Sequence, residues 1–198
     1  MKKNNFLIAI SVISLIVILL GSTFSYFAVS VRSNQDAAAL TALGFDTSVE
    51  ITALYNDKAL IPMDDVDVMT GYHHNCVDDQ QFGACQAYNI HVVNSGDTMN
   101  YNGFIKFNVT DIENLKYLIL DEDENKYVDN TAITSGENQS LGNSFSLNAG
   151  ESRDFILVIW LSNLNGPQDD VDGLGSFTAS VTYEANGGSR ITGTFSSH

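Results

Sequence analysis

Between Val49 and Phe195 the chain repeatedly alternates apolar and polar side chains over short runs, then breaks at Gly, Asn, Asp or Ser. Period two places residues i and i+2 on one face of an extended strand, so each run predicts a strand with one face to cover. Alternating or otherwise β-rich, the candidate strands are Phe45 to Tyr55, Ala87 to Val93, Tyr101 to Val109, Leu115 to Leu120, Lys126 to Val128, Ser144 to Leu147, Asp154 to Leu161, Ser176 to Tyr183 and Arg190 to Phe195. DFILVIWL, at Asp154 to Leu161, does not alternate; its unbroken apolar run predicts a central strand buried on both faces. Asp64 to Gly83 reads as a long polar insertion, and Thr134 to Asn143 as a loop. Short strands between turn residues predict an all-β fold, an antiparallel β-sandwich of jelly-roll-like type, with no helix of normal length needed after Leu43.

The N-terminus follows a different rule. Phe6 to Val29 contains no charged residue and comes after Lys2 and Lys3. Three readings fit it. A basic start, an apolar core and the small residues Thr23 and Ser25 suit a cleaved signal ending at Ser25. The same stretch is long enough to remain as a membrane anchor, with the lysines cytoplasmic. It could also be a pilin-like helix cut before Phe6. Each reading takes the body of the protein out of the cytoplasm. The domain plan is therefore 1–25 as signal peptide or anchor, 26–43 as an N-terminal arm and 44–198 as the sandwich. Within the arm, the Ala/Leu-rich Ser30 to Leu43 is either a helical continuation or a mobile tether.

Charge narrows the partners. From Thr41 onward there are 6 basic and 23 acidic residues, a net of −17. Phosphate neutralisation requires Lys and Arg, so nucleic acid is excluded as a partner. An extracellular setting suits this acidity. The two cysteines, Cys76 and Cys85, read as a local disulfide in an exported chain. His73 and His74 stand beside them, but the spacing matches no structural zinc pattern.

Three acidic runs offer oxygen ligands of the kind calcium takes: Asp64 to Asp67, Asp121 to Glu124, and Asp169, Asp170 and Asp172 ahead of Gly173. The third resembles part of a calcium loop, which makes calcium the one cofactor to consider. Asn108-Val109-Thr110 and Asn138-Gln139-Ser140 fit the N-glycosylation pattern. No H-E-x-x-H or G-x-S-x-G motif is present, and His91 reads as a satisfied strand histidine. No catalytic residue is assigned and no enzyme is expected.

Several short motifs, in order, resemble one family. Gly21 to Phe27 (GSTFSYF) is similar to the end of its signal sequences. Leu43-Gly44-Phe45-Asp46 stands near its first strand, and Tyr88 to Gly96 (YNIHVVNSG) resembles its F-x-V-x-N-x-G strand and turn. Leu147 to Ser152 (LNAGES) resembles its lead-in to a core strand. The family is TasA/camelysin, exported proteins of bacterial biofilm fibres; the cysteine loop is an addition to its pattern. The resemblance implies a jelly-roll sandwich, a cell-surface or extracellular location, and self-assembly in which one subunit's arm completes the next subunit's sheet. The β-prone Tyr26, Phe27, Ala28, Val29, Ser30 and Val31, freed by a cut after Ser25, form the candidate donor strand. The alternatives are a membrane-anchored β-sandwich that binds a surface ligand or calcium, and a minor pilin.

Overall fold

The computed structural model describes residues 38–41, 47–163, 175–186 and 188–197. Among these residues, twelve strands and one short helix follow in order: β1 (Ala38–Thr41), β2 (Thr47–Tyr55), β3 (Pro62–Met63), α1 (Val68–His73), β4 (Gln86–Asn94), β5 (Met99–Thr110), β6 (Leu115–Leu120), β7 (Lys126–Ala132), β8 (Asn138–Ser140), β9 (Phe145–Leu147), β10 (Ser152–Ser162), β11 (Ser176–Ala185) and β12 (Arg190–Ser196). They form two sheets. The larger runs β1-β2-β4-β10-β6-β7, with β3 added alongside β10; the smaller runs β12-β11-β5-β8, with β9 also on β5. Among the described residues every ladder is antiparallel except β3 on β10, where Pro62 sits opposite Leu161.

The period-two pattern explains the smaller sheet directly. Along β11, Phe177, Ala179, Val181 and Tyr183 are buried while their neighbours are not. Along β5 the buried set is Tyr101, Gly103, Ile105 and Phe107. These faces meet Val49, Ile51, Tyr88, Ile90, Val92, Tyr117, Ile119, Phe155, Leu157 and Ile159 of the larger sheet in the main core. Each fully buried large side chain there contributes about 1.5–3 kcal/mol.

The larger sheet is covered on its other face as well. From Leu157 to Ser162 every residue of β10 is buried. Val158 and Trp160 point away from the main core, into a second apolar cluster with Leu118, Leu120, Ala87, Val68, Cys76 and Cys85. Residues 56–85, between β2 and β4, supply that cover. The DFILVIWL strand is thus central, between β4 and β6, and buried on both faces as its composition predicts.

The elements differ from the sequence expectation in three places. The insertion at 64–83 contains α1, and the 134–143 loop contains β8. Residues 38–41, within the stretch open to a helical reading, are a strand paired with Ser48 to Ile51 of β2. Tertiary pairing overrides the weak helix preference of a short alanine run. The segment 1–25 and the donor candidate Tyr26 to Val31 lie outside the described residues. Among the described residues no helix is long and apolar enough to cross a membrane.

Candidate functional site

Residues 56–85 form a cap on the outer face of the larger sheet, and its construction begins with Asp65. This residue precedes α1, and its carboxylate turns back onto the sheet. Oδ1 accepts the Trp160 indole N–H at 3.1 Å and the Ser162 hydroxyl at 2.8 Å. Oδ2 pairs with the Lys116 ammonium of β6. Burial raises the Asp65 pKa, but the donations from Lys116, Ser162 and Trp160 and the charge of Lys116 outweigh it, so the carboxyl is held below its ordinary range. The indole N–H is a donor only and needs an acceptor when buried. Asp65 meets that need and fixes the start of the cap.

The far side of the cap is closed covalently. Cys76 and Cys85 form a disulfide, and both are buried against Trp160 and its neighbours. Between them, Asp78 organises a tight hairpin, its Oδ1 accepting the N–H groups of Gln80 at 2.9 Å and Phe82 at 2.8 Å. Phe82 rides on that hairpin with half its surface exposed. The bonded sulfurs leave no thiolate for zinc. His73 and His74 are exposed, and His73 lies 3.9 Å from Glu124 in the β6–β7 hairpin.

Beyond the cap the same face becomes polar. His91 Nδ1 is 2.8 Å from Asp154 Oδ1, which also accepts from Asn89 Nδ2 at 3.0 Å. The Asp154 backbone N–H donates to Glu122 at 3.1 Å. A histidine held by a carboxylate can act as a general base. Here the cross-strand partners of His91 are Glu50 and Asp154, neither of them a nucleophile to activate. The pair is half-exposed and reads as a surface cross-strand contact.

Two of the three acidic runs have structural occupations. Asp65 holds the cap. Asp121 Oδ1 accepts the N–H groups of Asp123 and Asn125, which closes the β6–β7 turn and lowers the Asp121 pKa, chiefly through Asn125. Asp169, Asp170 and Asp172 lie outside the described residues. Among the described residues no three His, Cys, Asp or Glu side chains converge in a way that could hold a metal ion.

Two of the sequence motifs meet in space. Asn94, fully buried at the end of β4, donates through Nδ2 to the carbonyls of Asp97 at 2.7 Å, Leu147 at 3.0 Å and Asn148 at 3.3 Å. Its backbone N–H donates to Glu151 O, and its carbonyl accepts from Gly150 N–H. The turn after β4 and the turn before β10 are thus tied into one knot. Sequence reading found both segments but not their contact. Sequence reading also missed Asp65, whose role is carried by one carboxylate in a polar run. A buried Trp needing an acceptor was the available signal.

No protein-family model and no curated protein matches the chain. Solved structures with some likeness include a sporulation control protein from Bacillus subtilis (10% identity, 77% of this chain and 48% of that chain, TM-score 0.38). A conjugative transposon lipoprotein from Bacteroides eggerthii covers 78% of this chain and 99% of its own at 11% identity and TM-score 0.38. A tip adhesin from Pseudomonas aeruginosa covers 82% and 53% at 12% identity and TM-score 0.36. The chain spans about half the length of the first and third of these.

Proposed function

We propose that the chain is an exported structural subunit that polymerises into extracellular fibres, and that it has no catalytic activity. The observation that carries this reading is at the edge of the larger sheet. Among the described residues the edge strand is β1, from the N-terminal segment, and its residues 38–41 pair with Ser48 to Ile51 of β2. Thr52, Ala53 and Leu54 continue the strand, exposed. An edge strand supplied by an N-terminal segment can be exchanged between copies, and head-to-tail exchange builds a filament where the rotation between copies does not close a ring. The local disulfide suits an oxidising compartment, and the acidic surface suits a soluble extracellular domain.

The test uses the register. Ala39 sits opposite Glu50. Ala39→Cys combined with Glu50→Cys, assembled and then oxidised, gives a ladder of covalent oligomers on a non-reducing gel if β1 is exchanged. A monomer band from filamentous material sinks the exchange. Absence of filaments by electron microscopy, from protein that starts near Tyr26, sinks the fibre reading itself.

A further inference from the structure

The cap is built differently from the sandwich beneath it. Its regular structure is one six-residue helix and a two-residue strand. A helix that short does not persist without packing. Asn75, Cys76 and Gln81 hold positive φ, at 59°, 57° and 67°, which L-residues adopt at a cost. Leu60 apart, which packs on the main core, its clustered apolar side chains lie in the second cluster. Its fastenings to the rest of the chain include Asp65 on Trp160, Ser162 and Lys116, the Asp65 carbonyl accepting from Asn130, the Lys58 carbonyl accepting from Gln86, β3 on β10, Tyr72 edge-on to Tyr55, and His73 near Glu124. The Cys76–Cys85 bond joins the end of α1 to the start of β4 across the top of that cluster.

We propose that residues 56–85 form an oxidation-set cap over Trp160. The sandwich folds with the two cysteines reduced, leaving the cap undocked and the strip Val158, Trp160, Leu118 and Leu120 open. Forming the disulfide closes it. In the forming step the two thiols lose two electrons and two protons to a small-molecule disulfide such as oxidised glutathione. The Sγ–Sγ bond forms, the oxidant's S–S bond breaks, and two glutathione thiols leave. Closure is effectively one-way. Cys76 and Cys85 are buried, at 2% and 3% exposure, which keeps an attacking thiolate from the bond while the cap is closed. A chain that passes from a reducing to an oxidising compartment is thereby sealed once. This holds whether or not the protein polymerises.

Trp160 is the only tryptophan, so its fluorescence reports on the cap alone. Protein refolded with a dithiol reductant and alkylated, and the variant Cys76→Ser/Cys85→Ser, are compared with the oxidised form. The expected result is a red-shifted Trp160 emission and severalfold stronger acrylamide quenching, with unchanged far-ultraviolet β-sheet dichroism. Amide exchange should rise in residues 56–85 and stay slow in β5 and β11. Native oxidised protein given the same dithiol without denaturant should keep its bond far longer than the unfolded chain does. Emission unchanged on reduction overturns the proposal. So does loss of the sheet signal together with the cap, and so does reduction of the native bond at the rate of the unfolded chain.

Discussion

Asp65 and Trp160 are 95 positions apart in sequence, yet the Asp65 carboxylate accepts the Trp160 indole N–H at 3.1 Å. The bond crosses from the cap to the most buried strand of the sheet. Replacing Asp65 by Asn removes the ion pair with Lys116 and weakens two more contacts. The expected loss is about 1–3 kcal/mol, read from urea unfolding. The pH dependence has a definite sign. The folded-state pKa is depressed, so the contribution is present above the unfolded value of about 3.8 and disappears as pH falls through the lower folded value. Wild type should lose stability relative to Asp65→Asn between pH 4 and more acid conditions, roughly, with the two melting curves converging. Parallel curves across that window would remove Asp65 as the ionised anchor.

Asn94 should be among the least replaceable polar residues of the described chain. Asn94→Ala strands three carbonyls that now share its amide, and the expected cost is about 3 kcal/mol. Asn94→Asp should cost more, because it places a carboxylate against those carbonyls. Thermal melts of both variants decide it; an aspartate variant as stable as wild type would mean the loop carbonyls rearrange freely.

Gly193 sets how closely β12 approaches β2. A Cβ there would stand 2.8 Å from Ile51 Cδ1 and 3.1 Å from Val49 Cγ1. Gly193→Ala should destabilise by about 1–3 kcal/mol through overpacking. Ile51→Val in the same chain should restore part of that loss, since the two changes share one contact. Additive losses in the double variant would place the strain elsewhere.

Arg153 faces the inner mouth of the sandwich, its guanidinium 5.1–5.5 Å from the ring centres of Phe155, Phe145 and Tyr127. Arg153→Gln should cost about 1 kcal/mol. The cost should change little between low and high salt, because the nearest partners are rings. A loss that vanishes in high salt would mean that a carboxylate, not the rings, holds the arginine.

Legibility in the sequence followed the physics of each element. β5 and β11 cover one face of the core and leave the other polar, and such strands announce themselves by alternation. β10 announced its central place by the absence of alternation. The cap did not announce itself: Asp64 to Gly83 is polar because it lies outside, and nothing local says that Asp65 turns inward. The knot at Asn94 was legible as two turns, but the bond between them spans 53 positions. β1 was ambiguous because alanine takes the structure of whatever it meets, and here it meets the edge of β2.

The ends of the cap have a further consequence. Tyr55, just before it, is the cross-strand partner of Ala87, just after it. β2 and β4 are therefore neighbours already, and a tight turn would join them. A chain without residues 56–85 would keep every described strand of both sheets except the two residues of β3. In such a chain the side chain at position 160 would face water, where an indole confers no advantage. The tryptophan therefore makes physical sense only with the insertion lying over it.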